Sequence, residues 1–248
     1  MTEPAEAALR IWLAHLPTAC GDVAQARASL SSAEREQASR FRFARDSARF
    51  VRTRALLRQL LAGHLRCAAT DVALETGTHG RPVLVSGAGG TTPQFSVSHA
   101  GDWAVIGIAR GRRIGVDLEM VRAIPEFPSV AKSNFTEREA RVLAAAAPDE
   151  RLALFYTIWT RKEACLKAIG LGIPGGLDRF EVIPVDARNE TSGHPFAVSS
   201  RVGDADSLWV VTISPNPQCV ASIAFDGLPE IPQLLLLGTA EGTLAPSS

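Results

Sequence analysis

Two stretches of this sequence carry apolar residues at helical spacing, and each is followed by a run of short strand-like segments. Phe50, Leu57, Leu60, Leu61 and Leu65 share one face of a helix over about Asp46–Leu65. Phe155, Ile158, Trp159, Leu166 and Ile169 share one face of a second, over Glu150–Ile169. Behind the first come Val72–Leu74, Val83–Val85, Phe95–Val97, Ala104–Ala109 and Ile114–Leu118. Behind the second come Phe180–Pro184, Phe196–Ser200, Leu208–Ile213 and Val220–Phe225, each rich in strand-forming residues and bounded by turn residues. The halves share a pattern rather than identical residues. The pattern predicts an α+β fold of two similar halves, residues 1–112 and 113–228, face to face with a site between them. Residues 229–248 begin with two prolines and run into small residues, which predicts a poorly ordered tail.

Local signals mark the ends of elements. Ile11, Trp12, Leu13 and Leu16 read as a first strand or short packed segment. Ser31 with Glu34 and Thr136 with Glu139 have capping-box spacing, which predicts helices over Glu34–Arg42 and from Thr136 towards Pro148. Asp149 is placed to cap the helix of the second half, and Gly170 and Gly172 to end it before a loop holding Pro174, Gly175 and Gly176. Gly77, Gly80, Pro82 and Gly87–Gly90 punctuate the first half, and Pro125 and Pro128 mark a connection.

Charge and cysteine usage exclude several classes. Lys plus Arg and Asp plus Glu number 26 each, so nothing in the net charge points to a nucleic acid or an acidic membrane. The arginines are uneven, however: Arg40, Arg42, Arg45, Arg49, Arg52, Arg54, Arg58 and Arg66 lie together with Asp46 the only acid among them. Such a face is either solvated or turned towards an anion such as a phosphate. Cys20, Cys67, Cys165 and Cys219 form no paired motif, which argues against zinc and disulfides and for a reducing cytoplasm. No basic segment precedes an apolar run at the start, and Leu234–Leu237 is too short to span a bilayer.

Three clusters carry chemistry. In Ile114–Glu119 the period of two puts Asp117 and Glu119 on one strand face and Val116 and Leu118 on the other. Two carboxylates so placed belong either to a solvated edge or to a cation site, and Gly115 beside them marks a close approach by backbone or ligand. Glu163 and Lys167 stand one turn apart on the second helix with Lys162 adjacent, which is a surface ion pair or one wall of a site. Asp117, Glu119 and Glu163 together are hard oxygen donors of the kind Mg²⁺ takes. Phe95–His99, reading F-S-V-S-H, ends a strand with Ser98 and His99, where a histidine can donate to phosphate; His15, His64, His79 and His194 read as structural or exposed. There is no nucleophile elbow, P-loop or dinucleotide-binding glycine motif.

The ordered pair I-G-V-D-L-E and W-T-R-K-E-A-C-L-K resembles the signature of the 4′-phosphopantetheinyl transferases. F-S-V-S-H, the phenylalanine, aspartate and arginine of Phe41–Arg49, T-R-A-L-L-R at Thr53–Arg58 and G-R-P at Gly80–Pro82 also resemble that family, so the likeness covers roughly Ser31–Phe180. The length is similar to the larger, surfactin-synthetase-activating type, a monomer of two α+β halves related by a pseudo-two-fold axis with the site in the cleft between them. The resemblance implies an enzyme of the holo-acyl-carrier-protein synthase class. It would move phosphopantetheine from coenzyme A to a serine of an acyl- or peptidyl-carrier protein in fatty-acid, polyketide or nonribosomal-peptide synthesis, with Mg²⁺ as cofactor. By motif position it implies Asp117, Glu119 and Glu163 as Mg²⁺ ligands. Arg49, Arg81, Ser98, His99, Lys162 and Lys167 would contact coenzyme A, with Arg49 at its 3′-phosphate. Glu163, Lys167 and Asp117 would be the catalytic set.

One departure stands out: Glu34 and Gln37 occupy positions where some members carry 3′-phosphate lysines, leaving Arg35, Arg40 or Arg45 to substitute or Arg49 to act alone. Transfer requires the serine oxygen to attack the β-phosphorus and expel 3′,5′-ADP, with Glu163 placed as general base and Lys167 and His99 as donors. Two other readings use the same residues: a Mg²⁺-dependent coenzyme A pyrophosphatase, and a non-catalytic coenzyme A or carrier-binding protein. The segment 121–134, with Phe127 and Phe135 near it, reads as a docking surface or as buried aromatics.

Overall fold

The computed structural model describes residues 9–77, 80–85, 92–170, 176–184, 193–200, 207–216 and 218–238. The first half contains β1 (Leu9–His15), α1 (Leu16–Ala19), α2 (Val23–Ala28), α3 (Ser32–Ser39), α4 (Ala44–Leu65), β2 (Leu74–Thr76), β3 (Pro82–Leu84), β4 (Gln94–Ala100) and β5 (Trp103–Ala109). The second contains β6 (Ile114–Met120), α5 (Phe127–Asn134), α6 (Glu137–Ala145), α7 (Arg151–Ile169), β7 (Phe180–Glu181), β8 (Phe196–Ala197), β9 (Ser199–Ser200), β10 (Leu208–Asn216) and β11 (Cys219–Asp226). β12 (Gln233–Leu237) follows.

The repetition read in the sequence is topological. In the first half a strand, β1, precedes the long helix α4 and the antiparallel hairpin β4–β5, whose second strand pairs antiparallel with β1. In the second half β6 precedes α7 and the hairpin β10–β11, whose second strand pairs antiparallel with β6. The two four-stranded sheets thus have the orders β12-β1-β5-β4 and β6-β11-β10-β8.

Strand alternation sorts the side chains into layers. Ile11 and Leu13 of β1 pack with Val116, Leu118, Ile223 and Phe225 in a core between the two sheets. Trp12 and Ala14, on the opposite face of β1, pack with Leu57 and Leu61 of α4. In the second half Val210, Val220 and Ala224 meet Ile158, Ala164 and Leu166 of α7. Each long helix therefore covers the outer face of its own sheet.

Both capping boxes form, at Ser31 with Glu34 and at Thr136 with Glu139. Asp149 does not cap α7: Glu150 is the N-cap residue and makes no side-chain cap hydrogen bond. Gly170 ends α7 in the left-handed region at φ 77°, a conformation open to a residue without Cβ. The connection around Pro125 and Pro128 contains a helix, α5, with proline in its first turn, where the missing N–H has no helical partner to lose. Phe135 is buried and stacks on Phe155, and the half-buried Phe127 leans on the same ring, so these aromatics serve the core.

The tail expectation is corrected for residues 229–238. Gln233–Leu237 pairs in parallel with β1. Leu234 and Leu236 face the core between the sheets, while Leu235 and Leu237 face that under α4. The leucine run is apolar throughout because both faces of this strand are used. Residues 239–248, His79, Gly87–Gly90, Gly172, Pro174 and Gly175 lie outside the described residues. Among the described residues, no helix is long and apolar enough to cross a membrane.

Candidate active site

The distance between the two walls of the site is set at Gly115. A Cβ at that position would stand 1.9 Å from the carbonyl oxygen of Ala164 and 2.4 Å from the amide nitrogen of Ala168. The close approach read at this glycine is therefore made by the backbone of α7. With helix and strand in direct contact, Glu163 and Lys167 of α7 come alongside Asp117 and Glu119 of β6.

Asp117 lies at the centre and is 5% exposed. Its Oδ1 accepts from Lys167 Nζ at 2.7 Å and from Ser98 Oγ at 2.9 Å, and Lys167 Nζ also donates to Ser98 Oγ at 3.2 Å. Ser98 comes from β4 of the first half, so this triangle spans both halves. Asp117 Oδ2 and Glu163 Oε1 are buried with no hydrogen-bond partner in the protein. A bare carboxylate oxygen out of water is costly unless a cation or a proton reaches it.

The three acids feel one another. Burial first, then Asp117 and Glu163, push Glu119 up to about 7 against the pull of Arg122 and Lys167. Burial and then Asp117 raise Glu163, opposed by Lys167 and Arg81. Among the described residues no three carboxylate, imidazole or thiol groups are already gathered closely enough to hold a metal ion. The acids line one side of the site, with Lys167 resting on the innermost.

Cations from the first half complete the surround. Arg81, beside β3, donates through Nη2 to the backbone oxygen of Lys167 at 2.9 Å. It therefore tethers the β2–β3 hairpin to the last turn of α7, where carbonyls carry partial negative charge. Burial lowers Arg81 and Glu163 opposes the shift. Arg49 of α4 donates through Nε to Asp102 Oδ1 at 2.9 Å and through Nη1 to Asp46 Oδ1 at 3.4 Å. Asp102 occupies the turn between β4 and β5, so Arg49 lies against the end of that hairpin. His99 has a solvent-accessible ring, yet the surrounding protein displaces water from it. That partial burial, then Lys167 and Arg49, lowers its pKa despite Asp46. Ser98 and His99, adjacent on a strand, point to opposite faces, which is why one bonds Asp117 and the other is set among α4 charges.

Lys162 does not join this group. Its side chain is 0% exposed and donates to Glu139 Oε2, Leu177 O and Phe180 O, each at 2.7 Å. Burial pulls its ammonium below the usual lysine range and Glu139 opposes the pull. One residue of helix is a turn of about 100°, so the neighbour of a cleft-facing Glu163 enters the core. The expectation that Lys162 contacts coenzyme A is corrected accordingly.

Glu34 is likewise structural. Its carboxylate is buried, accepts from the Ser31 amide at 2.8 Å and from Arg58 Nε at 2.7 Å, and pairs with Arg54 at 3.5 Å. An acid there caps α3 and anchors α4, while Arg35, Arg40 and Arg45 are exposed. Sequence reasoning missed Asp102 as the holder of Arg49, although a polar residue after a turn glycine was a signal. It also missed Ser222, opposite Asp117 on β11, which bonds Thr160 of α7 at 2.8 Å; no local pattern marks that pair.

Comparison with known proteins points one way. Residues 17–110 match the family model described as 4′-phosphopantetheinyl transferase, N-terminal, and residues 113–213 match that of the 4′-phosphopantetheinyl transferase superfamily. A putative 4′-phosphopantetheinyl transferase of Synechocystis sp. is 38% identical over 175 residues, 71% of this chain and 69% of that protein. The 4′-phosphopantetheinyl transferase HetI of Nostoc sp. is 31% identical over 200 residues, covering 81% and 80% respectively. The human L-aminoadipate-semialdehyde dehydrogenase-phosphopantetheinyl transferase is 31% identical over 161 residues, covering 62% and 52%.

Proposed function

The chain belongs to the 4′-phosphopantetheinyl transferase superfamily, and from that premise we propose that it moves phosphopantetheine from coenzyme A to a serine of an acyl- or peptidyl-carrier protein. The observation that carries this reading is the pair of partnerless buried oxygens, Asp117 Oδ2 and Glu163 Oε1, beside a Glu119 pushed up to about 7. Such a site has unmet demand for a hard cation, and Mg²⁺ fits its oxygen donors. Asp117, Glu119 and Glu163 would hold the ion, and a preformed cage is unnecessary for a metal that takes further ligands from substrate phosphates and water. When bound, Mg²⁺ supplies charge neutralisation at the pyrophosphate.

The chain's own residues do the rest. Lys167, fixed by Asp117 and Ser98, is an ammonium donor already aimed into the site, so little reorganisation accompanies charge build-up on a phosphate oxygen. Arg49 and Arg81 lie on the first-half side as guanidinium partners for the phosphates and nucleotide, and His99, its pKa lowered, offers a ring N–H. The carrier serine oxygen attacks the β-phosphorus, the bond to the bridging oxygen breaks, and 3′,5′-ADP leaves. Glu163, on the wall of α7 beside Asp117, is placed to take the serine proton. Ser98 and Arg81 from one half meet Asp117 and Glu163 from the other within a single chain, which favours action as a monomer.

The test is an intact-mass measurement on a panel of apo acyl- and peptidyl-carrier proteins after incubation with the protein, coenzyme A and Mg²⁺. The expected result is a gain of one phosphopantetheinyl group on at least one carrier. Release of 3′,5′-ADP from coenzyme A without any carrier gaining mass would replace this reading with hydrolysis.

A further inference from the structure

The middle of α7 is held by buried polar groups rather than by apolar packing alone. Thr160, Arg161 and Lys162 are 0%, 3% and 0% exposed. Thr160 Oγ1 bonds Ser222 Oγ of β11 at 2.8 Å. Arg161 donates through Nε to Thr212 Oγ1 of β10 at 2.7 Å and through Nη1 to Val182 O at 3.2 Å. Lys162 donates all three of its protons, to Glu139, Leu177 and Phe180, between the rings of Phe135 and Phe180. Glu139 is equally occupied: Oε2 also accepts from the Thr136 amide at 2.8 Å, and Oε1 accepts from the Val182 amide at 2.8 Å. Consecutive helical residues point about 100° apart, so these three contacts surround the helix just before Glu163.

Stability alone does not account for such a set. Replacing a buried ion pair by apolar groups of similar volume is often neutral or stabilising, and the best-attested use of a buried polar group is to fix register. Register matters here because the next residue faces the cleft. A roll of α7 by about 10° would carry a side-chain tip about 6 Å from the axis through roughly 1 Å. A misplacement of that size can cost on the order of 100-fold in rate.

We propose that the Lys162–Glu139 pair is a positioning device that fixes the rotation of α7 about its axis and thereby holds Glu163 against Asp117. This rests on the reading of Glu163 as a site residue. The test uses Lys162→Met and Glu139→Gln, with Leu61→Ala, in the core under α4 and remote from α7, as a destabilised control. All are measured where circular dichroism shows a folded protein. Transfer kinetics are read together with Mn²⁺ binding to the coenzyme-free protein, followed by electron paramagnetic resonance. The expected result is a kcat lower by about 10- to 100-fold, with little change in KM for coenzyme A and weakened Mn²⁺ binding in both pair variants. Leu61→Ala should keep native kcat and Mn²⁺ affinity. A folded pair variant with native kcat and Mn²⁺ affinity would overturn the proposal. Failure of both pair variants to fold would also overturn it, by making the pair a stability element. Glu163→Gln, run in parallel, separates the two levels: if it turns over normally, the reading of the site itself is wrong.

Discussion

Gly115→Ala is the smallest change that tests how the site is assembled. The added methyl would stand 1.9 Å from Ala164 O and 2.4 Å from Ala168 N, where ordinary contact begins near 3.4 Å. Both neighbours are helix backbone, so no flexible side chain can swing aside, and α7 must retreat by about 1.5 Å. Overpacked cores typically lose about 1–3 kcal/mol and occasionally more, and a backbone obstacle belongs at the upper end, about 3 kcal/mol. For a chain of this size that is a fall in melting temperature of roughly 6–12 °C. The same retreat withdraws Glu163 and Lys167 from Asp117 by more than an ångström, which predicts transfer slower by about 100-fold or more. Thermal unfolding and a carrier mass-gain time course read the two effects. Gly63→Ala is the matched control: nothing lies within 4 Å of its added Cβ, inside helix α4. Alanine there should be neutral or stabilising by up to about 1 kcal/mol. A Gly115→Ala protein that melts and transfers like the parent would refute the contact argument.

Further outcomes follow from the same geometry. NMR titration should place His99 below the usual histidine value of about 6.5, and Arg49→Ala should raise it by removing one neighbouring cation. Because the folded pKa is the lower one, His99 contributes stability that is present above the unfolded pKa and lost as pH falls through the folded value. A His99 pKa above 6.5 would contradict this. At pH 8 a thiol reagent should label the exposed Cys67 in the native protein but reach Cys165 and Cys219, both pushed up to about 12 chiefly by burial, only after denaturation; mass mapping of labelled peptides decides it. Leu234→Ala with Leu236→Ala should cost roughly 2–4 kcal/mol, since both half-buried side chains pack between the sheets, and an unchanged denaturation midpoint would mean that β12 is not docked.

What was legible in the sequence was local or periodic. The alternation of Ile114–Glu119 placed Asp117 and Glu119 on one face and Val116 and Leu118 on the other, and the strand has that arrangement. The capping boxes at Ser31 and Thr136 were readable because their partners lie within one turn. Lys162 was misread because it stands beside Glu163 in the same sequence motif. Its direction is decided by Glu139 and two carbonyls beyond α7, partners that no spacing rule connects. β12 escaped notice for a similar reason: an edge strand used on both faces lacks the alternation that identifies most strands. Gly115 lies between these cases, since the sequence marked a close approach but only the packing of α7 on β6 shows what approaches.

The central claim is that the acids gathered between β6 and α7 carry phosphopantetheinyl transfer. Its most direct test is one intact-mass comparison of an apo carrier incubated with coenzyme A, Mg²⁺ and either the parent protein or Glu163→Gln. The account predicts conversion by the parent and an unmodified carrier with Glu163→Gln, whose melting temperature should remain near native because the substituted side chain lies in the cleft. Conversion at comparable rates by both proteins would contradict it.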